Sequence, residues 1–168
     1  MADPAPWAFA LGIHAAPGVE AFCLEMQDAH GADVNLLLCA AWCGVTGRGT
    51  LDEDDLARLA GTIAPMRREV VERLRAARRW LKPLAASAPR LAAMRERIKA
   101  LELEAEREVQ FLLADALEAS HPLPMAPVAR GARRAAAIAS IDACMRHFGA
   151  RRDPAPLARA VSDWIESN

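Results

Sequence analysis

The chain contains no tyrosine, and aromatic residues make up only 5% of its 168 residues. β-branched residues are sparse beside alanine, leucine and arginine, so the composition favours helix over sheet. The longest apolar run, residues 34–45, is interrupted by Asn35 and is too short to cross a bilayer. We therefore expect almost no β-structure and no insertion into a membrane.

The sequence also lacks the short motifs that mark common enzymes. It has no nucleophile elbow, no phosphate-cradling glycine loop, no His-Glu-x-x-His motif and no Glu-x-x-His pair of a di-iron bundle. These absences argue against a conventional hydrolase or nucleotide-dependent enzyme. We assign no catalytic residue and no cofactor, and the question of catalysis stays open at this point.

The cysteines form no Cys-x-x-Cys framework, and they lie inside apolar helical patterns: Cys23, Cys39, Cys43 and Cys144. Structural zinc usually binds cysteine pairs from short loops, so the sequence predicts no metal site. Buried free thiols are typical of a reducing compartment. The first four residues, Met-Ala-Asp-Pro, carry an acid where a secretory signal carries basic residues. We expect a cytoplasmic protein.

The formal net charge is −1, so the chain as a whole does not attract nucleic acid or an anionic membrane. The charge is uneven, however, because residues 52–55 are all acidic, whereas residues 67–82 contain seven basic residues against two acidic ones. The basic segment contains a cationic ridge at helical spacing, formed by Arg68, Arg75, Arg79 and Lys82. Trp80 beside it could stack on a base, but the overall charge makes nucleic acid an unfavoured partner. We expect the cationic ridge to bind an acidic or helical segment of another protein.

Apolar residues make up 53% of the chain, which is enough for one domain with a hydrophobic core. Their spacing predicts an all-α, single-domain bundle of seven or eight helices. One long helix is predicted near 89–119, with an apolar seam formed by Leu91, Met94, Ile98, Leu101, Ala105, Leu112 and Ala116. A stiff proline-rich linker, 121–129, separates an N-terminal helical body, 1–120, from a C-terminal helical pair, 130–168. We expect that pair to pack on the same domain.

Several residues predict where helices begin and end. Asp33 is placed to cap the third helix, which is apolar nearly all round and therefore reads as the central, buried helix. Residues 50–53 match the Ser/Thr-x-x-Glu capping box of a fourth helix that ends near Ile63. Pro65 is predicted to open a separate fifth helix.

A few polar side chains lie among the apolar runs of the first two long helices. Gln27 borders the apolar stripe of the second helix and His30 lies near its middle, while Asn35 shares a face of the third helix with Trp42. One interpretation is structural, because buried polar groups usually satisfy backbone groups and fix helix packing. The other is a pocket for a small molecule or lipid, with or without catalysis, lined by Gln27, His30, Asn35, Trp42 and Trp7.

The same region carries three motifs in order: Trp7-x-Phe9-Ala10-Leu11, then Pro17-Gly18-Val19, then Cys23-Leu24-x-x-Gln27-Asp28-x-x-Gly31-x-Asp33-Val34-Asn35-Leu36-Leu37-Leu38. With Trp42 after them, these motifs resemble an uncharacterised family of short proteobacterial proteins. The resemblance covers roughly the first eighty residues and fades in the C-terminal half. It implies a helical, cytosolic protein of a proteobacterium and supplies no activity. His14 stands where the family is expected to have an aromatic residue.

Two functions are compatible with these observations. The first is a non-enzymatic cytosolic protein-interaction module that uses the cationic ridge. The second is a helical protein that binds a small molecule or a lipid near Gln27, His30, Asn35 and Trp42. A cavity with two or more convergent polar groups favours the second, and a tightly filled core favours the first. The sequence specifies neither a partner nor an oligomeric state.

Overall fold

The computed structural model describes residues 5–168. Over this range the chain forms eight α-helices and no strand: α1 (Pro6–His14), α2 (Val19–His30), α3 (Val34–Val45), α4 (Glu53–Met66), α5 (Glu72–Ala85), α6 (Pro89–Ser120), α7 (Arg130–His147) and α8 (Ala155–Ser167). A π-helical segment, Arg67–Val71, joins α4 to α5 without a break. The predicted all-α, single-domain bundle and its long helix are confirmed.

α3 is the central helix of the bundle. Its N-cap is Asp33, whose carboxylate accepts hydrogen bonds from the backbone N–H groups of Asn35 and Leu36 at 2.8 and 3.2 Å. The last ten of its twelve residues are buried, because a helix that is apolar all round must be covered on every side. The predicted cap and the predicted central position are both confirmed.

The C-terminal helices share a core with α3. α7 packs along α3 so closely that a Cβ added to Gly44 would lie 2.1 Å from the backbone nitrogen of Ala137. α8 reaches α1, where the rings of Phe9 and Trp164 meet edge to face with centroids 5.2 Å apart. The close approach of α7 therefore depends on the absence of a side chain at residue 44.

The capping box of α4 is formed by other residues than those predicted. The carboxylate of Asp52 accepts from the N–H of Asp55 at 2.9 Å, and the carboxylate of Asp55 accepts from the N–H of Asp52 at 3.4 Å. The predicted box at residues 50–53 is therefore wrong. The helix starts later than predicted because Leu51 is buried and its N–H donates a hydrogen bond to the hydroxyl of Ser140 on α7. That contact delays the start of the helix.

The predicted break between a fourth and a fifth helix is also wrong, because the chain stays helical from α4 through Pro65 into α5. Pro65 has no N–H to donate, but the helix continues past it because this stretch of the chain packs along α6. The π-helical segment follows directly, and the N–H of Glu72 bonds the carbonyl of Arg67, five residues earlier. Single π-helical turns inside α-helices often lie at functional sites.

The arm formed by α4, the π-helical segment and α5 lies antiparallel to α6. α4 and the C-terminal half of α6 pack on the rest of the bundle, whereas α5 packs along α6 and the π-helical segment and reaches α2 through the side chains of Arg75 and Arg79. We call residues 72–104 the distal hairpin. It projects from the bundle.

The predicted apolar seam of α6 is wrong in part. Leu101 and Leu112 are 52% and 40% exposed, whereas Glu102 and Gln110 are buried. The buried face of α6 consists of Glu102, Ala105, Val109, Gln110, Leu113 and Leu117. Counting apolar residues alone misplaced this face, because two of its members are polar and find hydrogen-bonding partners inside the protein.

Candidate polar pocket

A pocket of about 330 Å³ opens between the C-terminal end of α2, the first turn of α3 and the π-helical segment with the start of α5. Its lining is mostly polar and includes Gln27, Asp28, Asp33, Asn35, Arg67, Glu72, Arg75 and Arg79. The volume lies at the lower end of the range for small-molecule sites. The lining suits a hydrogen-bonding ligand better than a lipid chain.

Arg75 connects three helices at this pocket. Its guanidinium donates hydrogen bonds to Gln27 on α2 at 2.9 Å, to Glu102 on α6 at 2.9 Å and to Glu106 on α6 at 2.6 Å. Its side chain is only 21% exposed. Arg75 is therefore held inside the protein by its own partners, and it positions the side chain of Gln27 at the pocket.

Glu102 is the anion at the centre of this network. Its carboxylate is almost completely buried, and it accepts hydrogen bonds from both Arg75 and Arg78. Burial alone would raise the pKa of Glu102, but the hydrogen bonds from the two guanidinium groups outweigh it and hold the pKa below its ordinary value. Glu106 accepts a hydrogen bond from Arg75, and burial raises its pKa. The two carboxyl groups, one turn apart, are thus shifted in opposite directions.

Asp33 lines the pocket on the α3 side, whereas Arg75 lines it on the α5 side. One oxygen caps α3, and the other lies 3.4 Å from Nε of Arg67. Burial raises the pKa of Asp33, an effect that Arg67 and the two capping N–H groups only partly offset. Arg67 also lies 3.0 Å from Glu72 and donates to the carbonyl of Gly31 at 3.4 Å. The first residue of the π-helical segment therefore ties the turn between α2 and α3 to the start of α5.

Asn35 is held in place by Gln110 of α6. Nε2 of Gln110 donates to the backbone carbonyl and to Oδ1 of Asn35, at 3.1 Å each. Within the described range 5–168, neither Nδ2 of Asn35 nor Nε2 of Gln27 donates a hydrogen bond, although both residues line the pocket. Two amide nitrogens are thus available to a ligand there.

The predicted ligand-binding residues do not all meet at this place. Gln27 and Asn35 line the pocket, but Trp42 lies seven residues further along α3, about 10 Å away along the helix axis. Trp42 is buried, and the guanidinium of Arg48 lies 5.0 Å from the centre of its ring. The structure therefore separates the indole of Trp42 from the two amides.

His30 and Trp7 also lie outside the pocket lining. His30 is exposed, because the buried stripe of α2 ends at Met26, one turn earlier. Trp7 is half-buried and packs against the hydrophobic core. His30 therefore neither lines the pocket nor lies in the core, but is exposed at the end of α2.

The cationic ridge is divided by the structure. Arg75 and Arg79 line the pocket, whereas Arg68 and Lys82 lie outside its lining. Arg68 is 70% exposed and bonds Glu69 at 2.7 Å. Arg79 is 59% exposed, and its guanidinium lies 3.8 Å from the carboxylate of Asp28. The pocket thus contains Gln27 and Asn35 from the predicted ligand-binding residues. It also contains Arg75 and Arg79 from the cationic ridge.

Sequence reasoning missed the partners contributed by α6. Glu102, Glu106 and Gln110 recur every four residues and so share one helix face. Two of them are buried or nearly so in an otherwise apolar stripe. Polar residues at every fourth position of α6, opposite the arginines of α5, were the sequence signal that could have identified these partners.

Among residues 5–168, the thiols and the possible metal ligands form no second candidate site. The four thiols are unpaired and buried, and burial raises the pKa of Cys23 and Cys43 to about 12, so they stay protonated at neutral pH. In residues 5–168 no group of three or more histidine, cysteine or acidic residues could hold a metal ion. In the same range no single helix is long and apolar enough to span a membrane; α1 and α2 reach that length and composition only together, and they meet at 98°.

Comparisons with known proteins bear on the N-terminal two thirds of the chain. Neither the curated proteins nor the solved structures gave a match. A family model described as "Protein of unknown function (DUF2390)" matches residues 5–113. The matched range contains every residue that lines the pocket and both arms of the distal hairpin. The chain belongs to this family of proteins of unknown function.

Proposed function

We propose that this protein binds a small polar molecule in the pocket between α2, α3 and the π-helical segment. One observation carries the proposal: Gln27, Asn35, Arg75 and Arg79 converge on one cavity of about 330 Å³. Arg75 fixes Gln27, and Gln110 fixes Asn35, so the two amides are held in place before a ligand arrives. Preorganised polar groups of this kind favour binding because little side-chain freedom is lost.

The charges of the lining restrict the class of ligand. Three arginines and three carboxylates line the pocket: Arg67, Arg75, Arg79, Asp28, Asp33 and Glu72. A ligand with charge of one sign would meet repulsion as well as attraction. A zwitterion presents both signs, and the available amide nitrogens can donate to its carboxylate. We therefore favour a small zwitterionic molecule. No bond-changing step is proposed.

The test uses the full chain and two variants of matched chemistry. Arg79→Met removes an exposed pocket residue, and Lys82→Met removes a cation one turn further along α5, outside the lining. The probes are the free amino acids as zwitterions and a set of simple sugars as neutral molecules, read by thermal shift and by native mass spectrometry. We expect an amino acid to raise the melting temperature of the wild type and of Lys82→Met, and to lose most of this effect in Arg79→Met. Failure of every amino acid, or an equal response of both variants, would contradict the proposal.

A second candidate function is a non-enzymatic protein-interaction module in the cytoplasm of a proteobacterium. It is favoured by the exposure of Arg68, Arg79 and Lys82 on the cationic ridge. The four unpaired thiols support a reducing compartment. An acidic segment of another protein is the partner that matches this surface.

The same two variants separate the candidates, because Lys82 belongs to the cationic ridge but not to the pocket. A poly-glutamate peptide serves as the probe of ridge binding. If the ridge is the functional surface, peptide affinity falls in both variants, whereas a pocket ligand is lost in Arg79→Met alone. A peptide that binds neither the wild type nor the variants counts against the second candidate.

A further inference from the structure

The distal hairpin carries an exposed face on the side away from the pocket. On α6, alternating spacings of four and three residues place one strip along the helix: Arg90, Met94, Arg97, Leu101, Glu104 and Glu108. At about 100° per residue, this strip is turned about 140° from the carboxylates of Glu102 and Glu106. Met94 and Leu101 are 44% and 52% exposed. We call this set the α6 strip.

α5 adds two large apolar side chains to the same side. Trp80 and Leu84 are 70% and 40% exposed and lie on the face of α5 turned away from Arg75. Because Arg75 and Arg78 both reach Glu102, Trp80 lies level with the turn of α6 that ends at Leu101. The exposed face therefore has Trp80 and Leu101 at its centre.

The charges of the α6 strip are arranged about that centre. Arg90 and Arg97 precede Leu101, and Glu104 and Glu108 follow it. Arg97 and Glu104 are each about one helical turn from Leu101. Among residues 5–168, neither Arg97 nor Glu104 takes part in an ion pair. The strip is basic at one end, acidic at the other and apolar in the middle.

We propose that this face binds a second copy of the same chain, with the two α6 helices antiparallel about a two-fold axis beside Leu101. In that arrangement Arg97 of each copy meets Glu104 of the other. An isologous contact requires a self-complementary surface, and this charge order provides one. A partner with charge of one sign would meet like charges at one end of the strip. A second copy meets opposite charges at both ends.

The size and composition of the face fit a reversible dimer. From Arg90 to Glu108 the strip runs about 27 Å along α6, and α5 doubles its width. The buried area would total about 1,000 Å², near the lower limit for specific interfaces. A central, exposed tryptophan surrounded by aliphatic side chains and a charged rim is the usual arrangement of an interface anchor. The dimer leaves the pocket open and does not depend on a ligand there.

The test is sedimentation equilibrium of the full chain over a range of concentrations. We expect the wild type to be a dimer in reversible equilibrium with a monomer. Arg97→Glu and Glu104→Arg each set like charges against each other twice, and each should raise the dissociation constant about tenfold or more. Mixing the two variants restores both opposite-charge pairs in the heterodimer, so the mixture should associate like the wild type.

Lys99→Glu is the matched control, because it reverses an exposed charge on α6 outside the α6 strip. It should dimerise like the wild type, and thermal melting followed by circular dichroism should show all variants folded. A wild type that stays monomeric at every concentration overturns the proposal. Single variants that dimerise like the wild type, or a mixture that does not recover, overturn the antiparallel pairing.

Discussion

α3 and α5 are helices of similar length in opposite environments. Ten of the twelve residues of α3 are buried, whereas in α5 only Leu81 is buried among fourteen. α3 is stabilised by apolar surface removed from water. α5 is linked to α6 by guanidinium and carboxylate groups around Glu102. The bundle should therefore resist changes of pH that weaken the distal hairpin.

The pocket lies at the border between these two regions. Asp33 and Asn35 come from the packed bundle, and Arg75 and Arg79 come from the distal hairpin. A ligand that contacts both walls adds its binding energy to the weaker region, because segments with few buried apolar contacts open most easily. We therefore expect the proposed ligand to order the distal hairpin when it binds.

The largest expected effect comes from replacing leucine by alanine at two positions of α6, one in the bundle and one in the distal hairpin. Leu113→Ala should cost about 4 kcal/mol, because Leu113 is fully buried and its loss leaves a cavity. Leu101→Ala should cost less than about 0.5 kcal/mol in the monomer, because Leu101 is already half exposed. Urea unfolding at low protein concentration measures both. Equal losses would show that the hairpin is packed as tightly as the bundle.

The next effect concerns the network of the distal hairpin. Glu102→Gln should cost about 3 kcal/mol at neutral pH, because Arg75 and Arg78 lose the buried charge between them. The pKa of Glu102 is lowered in the folded protein, so its stabilisation is complete above the ordinary carboxyl pKa and is lost as the pH falls through the lowered value. The difference in unfolding free energy between wild type and Glu102→Gln should shrink on acidification. A difference that is independent of pH would contradict the role of the ionised carboxylate.

The sequence predicted the features that depend on local signals. Asp33 caps α3 as expected, because a cap needs only its own turn. The start of α4 was misplaced by a tertiary contact, the bond from Leu51 to Ser140. The buried face of α6 was misplaced because Glu102 and Gln110 are buried with partners on other helices. Periodicity counts apolar residues and cannot reveal those partners.

The site, too, was predicted only in part, because local patterns do not reveal partners on other helices. Gln27 and Asn35 were singled out as polar groups near apolar stripes, and both line the pocket. Their partners, Arg75 and Gln110, are 48 and 75 residues away in sequence. Such pairings depend on how the helices pack, which local patterns do not specify. Trp42 shares a helix face with Asn35, yet distance along α3 keeps it out of the pocket.

The smallest effect, at Asp33, tests the border itself. Asp33→Ala removes the cap of α3 and should cost about 1 kcal/mol, whereas Asp33→Asn keeps a capping oxygen and should stay close to the wild type. Burial raises the pKa of Asp33, so the folded protein takes up this proton more readily than the unfolded chain, and wild type should gain stability relative to Asp33→Asn as the pH falls into the carboxyl range. At Glu102 the sign is opposite, because wild type should lose stability relative to Glu102→Gln as the pH falls. Urea unfolding of both variants at several pH values measures the two signs, and equal signs would mean that the pKa values of Asp33 and Glu102 are not shifted in opposite directions.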